Sequence, residues 1–187
     1  MTSINFPLRT LNDSVIQDWK EKYPEAEIRL ELHPNPTQTA LSEAHFWSIM
    51  DKLDWTQADN NDGVVEPAIA YLATQPVRHI FEFANLLSEK LYALDARVYA
   101  QNIGEDAWLP NRYFSVDNFL YARCCVVANG KNAFQEVQKN PTLMPKDKTF
   151  EDILYIASTA YTRKMGKKYS YSPTFPIETY SNKKGWQ

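Results

Sequence analysis

The sequence predicts a mainly α-helical domain, a bundle built round one long central helix with a minor β element near the N-terminus. Three observations carry that expectation. Val77, Ile80, Ala84, Leu87, Leu91, Leu94 and Val98 recur at steps of three and four through three heptads, the period of a helix face. Four further segments begin behind a capping Asn, Ser or Thr and repeat at helical spacing. Only one segment alternates with the period of two that a strand requires.

Leu11 to Tyr23 reads as a first helix, capped by Asn12 and stapled by Leu11 and Ile16, with Pro24 just beyond its end. Ala26 to Leu32 then alternates Ala26, Ile28, Leu30 and Leu32 against Glu27, Arg29 and Glu31. A lone strand leaves its ladder unpaired, so a partner is expected in Ser3 to Phe6, in the tail, or in another chain. The prolines at 34 and 36 mark His33 to Thr39 as a linker. Behind a Ser42 cap, Phe46, Ile49, Met50 and Leu53 form the next helical stripe, ended by the polar break Asp59 to Gly63. Val64 to Ala73 forms a short helix. Pro76 opens the long helix, which is expected to run unbroken to Ala100, about 37 Å at 1.5 Å per residue.

Ser115 caps a helix to Asn129, with Phe114 and Phe119 as its staple and Gly130 as its stop. Thr149 and Asp152 open a last helix carrying Phe150, Ile153, Leu154, Ala157 and Tyr161 on one side and ending at Gly166. The chain therefore divides into an extension at 1–41, a helical core at 42–166, and an aromatic, basic tail at 167–187 packed across the core surface. No run approaches the roughly 18 apolar residues of a membrane span, and Met1 to Leu11 has no basic start leading into an apolar stretch. The two cysteines, Cys124 and Cys125, are adjacent and unsuited to a relaxed disulfide. A cytoplasmic protein without a membrane is expected.

The net charge of −3 conceals a division. From residue 163 onward six basic residues face one acid, leaving 14 basic against 22 acidic residues before it, a charge of −8. Such a body repels phosphate and makes nucleic acid an unsuitable partner. His33, His45 and His79 lie apart without ligand spacing, so no metal is expected. The cysteines sit in the apolar run Ala122 to Ala128, an inert setting for a thiol. Glycine-rich phosphate loops and nucleophile elbows are missing from the sequence, so no catalytic residue and no cofactor are assigned.

Two polar constellations remain. Arg123 shares a helix stripe with Phe119, Val126 and Val127, so its guanidinium must meet an acid within the core. Asp95, interrupting the apolar run of the long helix, is the candidate, with Glu82 and Asp117 as alternatives. The pair reads either as a buried ion pair fixing helix register or as the floor of a ligand pocket. The second constellation gathers Asp51, Asp54, Asp59, Asp62 and Glu66 around one loop, a surface suited to a basic partner.

FSVDNFLYARCCVVANG at Phe114 to Gly130, FEDILYIASTAYTRKMG at Phe150 to Gly166, and the early Phe46–Trp47 pair together resemble a bacterial domain of unknown function, number 4240, over roughly Ser42 to Gly166. The resemblance places the family's polar pattern on Tyr92, Asp95, Ser115, Asp117, Arg123 and Gly130. It departs at Leu94 and Ala96, where the family carries tryptophans, and in a longer loop from Gly104 to Tyr113. It implies a mostly helical domain of bacterial origin and transfers no catalytic residue or substrate. The functional expectation is a non-enzymatic protein-binding domain whose finest form is an immunity-type neutraliser of a basic toxin. The alternative is an enzyme or small-ligand binder with its pocket at Asp95 and Arg123.

Overall fold

The computed structural model describes residues 12–27 and 40–187. The chain divides into two units, Met1–Gln38 and Thr39–Gln187, each described by itself. In the first, α1 (Asp13–Lys22) begins where Asn12 Oδ1 accepts the Val15 amide at 3.0 Å, the predicted cap. Ala26 and Glu27 lie outside any strand. The rest of the predicted strand, the linker with His33, and the possible partner strand at Ser3 to Phe6 lie outside the described residues.

The second unit contains seven α-helices among the described residues: α2 (Glu43–Met50), α3 (Asn61–Thr74), α4 (Val77–Ala93), α5 (Arg97–Ala100), α6 (Val116–Ala128), α7 (Gly130–Lys139) and α8 (Ile156–Met165). The fold is mainly helical, with no strand among the described residues. Helix α4 is central and packs on α2, α3, α6 and α8. Its Ile80, Phe83 and Leu91 are fully buried beside Phe46, Ile49, Leu72 and Phe119. Burying one such side chain contributes about 1.5–3 kcal/mol, so the shared core of these helices dominates their stability.

Caps fix where the helices begin. Ser42 Oγ accepts the His45 amide at 3.1 Å, and Ser115 Oγ accepts that of Asn118 at 3.2 Å. The Phe114 and Phe119 rings meet at 5.7 Å, completing the predicted staple. Helix α3 instead starts inside the predicted polar break, at Asn61, and carries Pro67 in its interior. Proline has no amide to offer the carbonyl four residues back, so that of Gly63 lacks its usual helical donor. Thr149 does not cap the last helical segment. A 3-10 turn, Glu151–Tyr155, leads into α8, which ends at Gly166 with φ 62°.

The long helix departs most from expectation. Instead of running from Pro76 to Ala100, it ends at Ala93, roughly 25 Å along at 1.5 Å per residue. Ala96 is fully extended, at φ −146° and ψ 153°, before the short turn of α5. Val98, expected on the buried stripe, is consequently 49% exposed. Gly185, in the chain's last turn, packs so closely on this break that an added Cβ would lie 2.6 Å from that of Ala96 and 2.8 Å from the Asp95 carbonyl oxygen.

Candidate functional site

Asp95 and Arg123 are both completely buried, but they do not hydrogen-bond to each other. Each instead holds the C-terminal segment. Arg123 donates from Nη1 to the Leu91 carbonyl at 2.9 Å, and from Nη2 to the Ile177 carbonyl at 2.9 Å and Thr179 Oγ1 at 3.1 Å. Asp95 Oδ1 accepts the Tyr180 amide at 3.2 Å and the Trp186 indole N–H at 2.9 Å, while Oδ2 accepts the Asn182 amide at 2.9 Å. The anticipated ion pair is therefore corrected to two buried charges bridged by a strap, each bonded to it separately, with Arg123 Nε left without a partner. Burial pulls the Arg123 guanidinium below its ordinary range, and the Asp95 charge acts in the opposite direction. The alternative partners are engaged elsewhere or lie on the surface. Glu82 pairs with Arg78 at 2.6 Å and accepts the Leu41 amide, and Asp117 is exposed in the first turn of α6.

Around these charges stands an aromatic socket. Trp186 packs edge-on to Phe119 at 5.8 Å and meets Phe114 at 6.2 Å, Trp108 at 6.4 Å and Tyr180 at 4.3 Å. Arg97 lies over the Trp108 ring and donates to the Trp186 carbonyl. Farther up the strap, Tyr171 stacks on Phe81 at 4.4 Å and accepts a hydrogen bond from Asn85, whose Oδ1 takes the Thr174 amide. The tail thus lies along α4, α5 and α6 and fills the space where a pocket was anticipated.

The acidic constellation separates into distinct environments. Asp54 Oδ1 is occupied as a cap by the Thr56 amide at 3.0 Å and its hydroxyl at 2.6 Å. Glu66 receives both Arg163 terminal nitrogens, at 2.6 and 2.9 Å. That contact holds its carboxyl below the usual range. Asp51 faces the start of α7 near Gly130, lining a cavity of about 400 Å³ with Trp47, Asn129 and Lys131. Asp59 and Asp62 are exposed, without a partner among the described residues.

The fold adds neighbours that the linear sequence concealed. Asn61 Nδ2 donates to Asp152 at 2.8 Å, bringing the turn Glu151–Tyr155 beside the start of α3. Trp55, flanked by Asp54 and Asp59 along the chain, is 45% exposed and meets Phe150 at 5.1 Å. Tyr155, 57% exposed, closes the same turn. The exposed Trp55 ring therefore rests on buried Phe150, while Asp152 of the same turn reaches Asn61 at the start of α3. In the sequence Thr149 and Asp152 read as a helix start and Phe150 as part of its apolar side, and neither reading points to the contact of Phe150 with Trp55.

A groove between α2, α4 and α7 was also missed. Lys90, almost wholly buried, reaches Glu43 at 3.2 Å and Glu89 at 3.1 Å beside Trp47 and Phe134, along a cavity of about 130 Å³. Glu43 is held below its ordinary pKa, chiefly by the Trp47 indole N–H and then by Lys90. Neither cavity is lined by Asp95 or Arg123.

His45 Nε2 lies 2.9 Å from the Tyr71 hydroxyl. No group of metal-ligating side chains occurs among the described residues. Cys124 and Cys125 are free, and burial pushes both thiols up, away from the reactive thiolate form. No helix among the described residues is long and apolar enough to cross a membrane.

A family model described as Protein of unknown function (DUF4240) matches residues 41–163. No curated protein and no solved structure matches the chain significantly. The matched span contains Asp95, Arg123 and the Trp55 surface, whereas the strap from residue 167 onward lies beyond it.

Proposed function

The chain belongs to the family described as Protein of unknown function (DUF4240), and on that premise we propose that it acts by binding another protein through the acidic surface around Trp55. One observation carries the reading: Trp55 stands 45% exposed on a short stretch of chain that also carries the exposed Asp59 and Asp62, which have no internal partner among the described residues. An exposed tryptophan backed by a second ring supplies a rigid apolar anchor, the residue type that dominates interface energetics. The exposed carboxylates steer a basic partner and disfavour acidic ones. In its finest form this is an immunity-type role, in which the acidic face covers the basic surface of a toxin.

Co-purification from the native host separates these levels. Wild-type protein should retain a basic partner that both Trp55→Ala and the double variant Asp59→Lys/Asp62→Lys lose. Equal recovery by all three proteins would refute binding through this face. If the captured partner is toxic and becomes inactive on adding one equivalent of this protein, the immunity reading holds. Capture without inhibition would leave only the binding role.

A further inference from the structure

The strap at residues 177–187 is attached in a manner unlike the rest of the chain. No residue from 167 to 187 is fully buried, although its anchors, Asp95 and Arg123, are completely so. All three donors bonded to Asp95 come from the strap, as do two of the three acceptors bonded to Arg123. Tyr180 holds a left-handed φ of 74°, a conformation that is costly for a bulky side chain and persists only where surrounding contacts impose it. The turn there delivers the Tyr180 and Asn182 amides to the two Asp95 oxygens. Arg123 Nε remains a buried donor without a partner, so the strap does not exhaust the hydrogen-bonding capacity beneath it.

We propose that residues 177–187 form a releasable intramolecular ligand, and that the socket of Asp95, Arg97, Arg123, Trp108 and Phe119 is a peptide-recognition site able to take an indole-bearing segment of the same type in trans. The recognition chemistry is explicit. Asp95 reads two backbone amides and an indole N–H, Arg123 and Arg97 read carbonyls, and the aromatic walls enclose the indole ring. Opening the strap exposes the two anchoring charges to water instead of stranding them in an apolar interior, which limits its cost. The strap's own surface is already partly wet, so its release is a local event distinct from unfolding of the α4 core. The socket lies within the family match at residues 41–163 and the strap outside it. The inference is independent of the acidic face.

Hydrogen exchange on the wild-type full chain tests release. The Tyr180 and Asn182 amides should exchange at least about tenfold faster than those of Leu87 and Leu91, through an opening with weaker denaturant dependence. Identical protection and identical denaturant dependence would overturn the proposal. Recognition in trans is tested with full-length Trp186→Ala and a fluorescent synthetic peptide of residues 177–187, followed by anisotropy. The variant should bind the peptide saturably. Wild type should bind about 100-fold more weakly, because its tethered strap competes at an effective concentration of roughly millimolar. A variant that keeps its helical circular dichroism and takes up no peptide would overturn recognition in trans. Loss of the helical signal in Trp186→Ala would overturn release, since a detachable strap cannot be required for the fold.

Discussion

The two charged regions of this domain use their charges oppositely. Under the strap, Asp95 and Arg123 are wholly buried, and all but one of their hydrogen bonds are spent on a segment more than 50 residues away in sequence. At the acidic corner, Asp59 and Asp62 are exposed and hold no partner among the described residues. Burial raises the cost of leaving a charge unpaired from negligible to several kcal/mol. The interior charges therefore dictate chain path, whereas the exterior ones can change without consequence for the fold. A charge that stands out in a sequence is thus read correctly only once its burial is known.

The sharpest way to break this contrast is Arg123→Ala. It removes a completely buried side chain, leaves the Leu91 carbonyl with the Leu94 amide as its remaining donor and frees two strap acceptors. A loss of about 3–5 kcal/mol is expected, the usual cost of deleting one buried charge, measured by urea denaturation. Asp95→Ala should cost less, about 2–3 kcal/mol, because its bonds reach only the strap and the loss cannot exceed the cost of strap opening. Equal losses for the two variants would mean that strap and core unfold as one unit.

Gly185→Ala sharpens the comparison further, since it leaves every charge in place. The new methyl would lie 2.6 Å from the Ala96 Cβ, closer than such atoms approach, so the strap must lift at the break between α4 and α5. Weaker packing of Trp186 should follow, seen as a changed near-ultraviolet circular dichroism signal with far-ultraviolet helicity retained. An unchanged near-ultraviolet spectrum would show that the break is not shaped by the strap.

Local rules account for what the sequence made legible. Asn12, Ser42 and Ser115 cap as expected because a cap depends on residues three apart. The burial of Ile80, Leu87 and Leu91 follows from periodicity alone. What escaped was set at a distance or by ambiguous punctuation. Leu94 and Val98 preserve the helical step through Asp95, so nothing in that spacing announces the break on which Gly185 packs. Gly130 reads as a stop, and its φ of 89° ends α6, yet it also opens α7. The spacing of Phe134 and Val137, both buried, could have revealed that helix. Arg123 was legible as a buried cation needing partners. That the partners are mainly carbonyls and a hydroxyl of the tail was not, because composition does not show where an irregular segment docks.

At the acidic corner the expected effects are smaller. Glu66→Gln keeps the shape of the side chain but removes the charge bound by Arg163. Both side chains are largely solvated, so a loss below about 1 kcal/mol is expected. The sign of its pH dependence follows from the lowered carboxyl pKa. The stabilisation is present above the ordinary value of 4.5 and disappears as pH falls through the lower folded-state value. Wild type and variant should therefore differ at neutral pH and converge in acid. A difference that persists at low pH would assign the effect to packing instead of charge.

The smallest stability effect is expected from Asp59→Lys/Asp62→Lys, which inverts the charge of the exposed corner. Neither carboxylate holds a partner among the described residues, and both are surface positions, so the change in unfolding free energy should stay within about 0.5 kcal/mol. Partner association should respond strongly in the same protein. Complementary charge acts mainly on encounter, so the association rate should fall while dissociation changes little, and added salt should slow wild-type association in the same direction. Tail contacts provide an internal control, because residues 167–187 engage α4, α5 and α6 and their ring and hydrogen-bond contacts do not include Asp59 or Asp62. Strap-amide exchange should therefore match wild type in the double reversal. A fall in strap protection accompanying lost binding would mean that the corner and the socket are coupled, and the separation of a structural charged interior from an available charged surface would no longer hold.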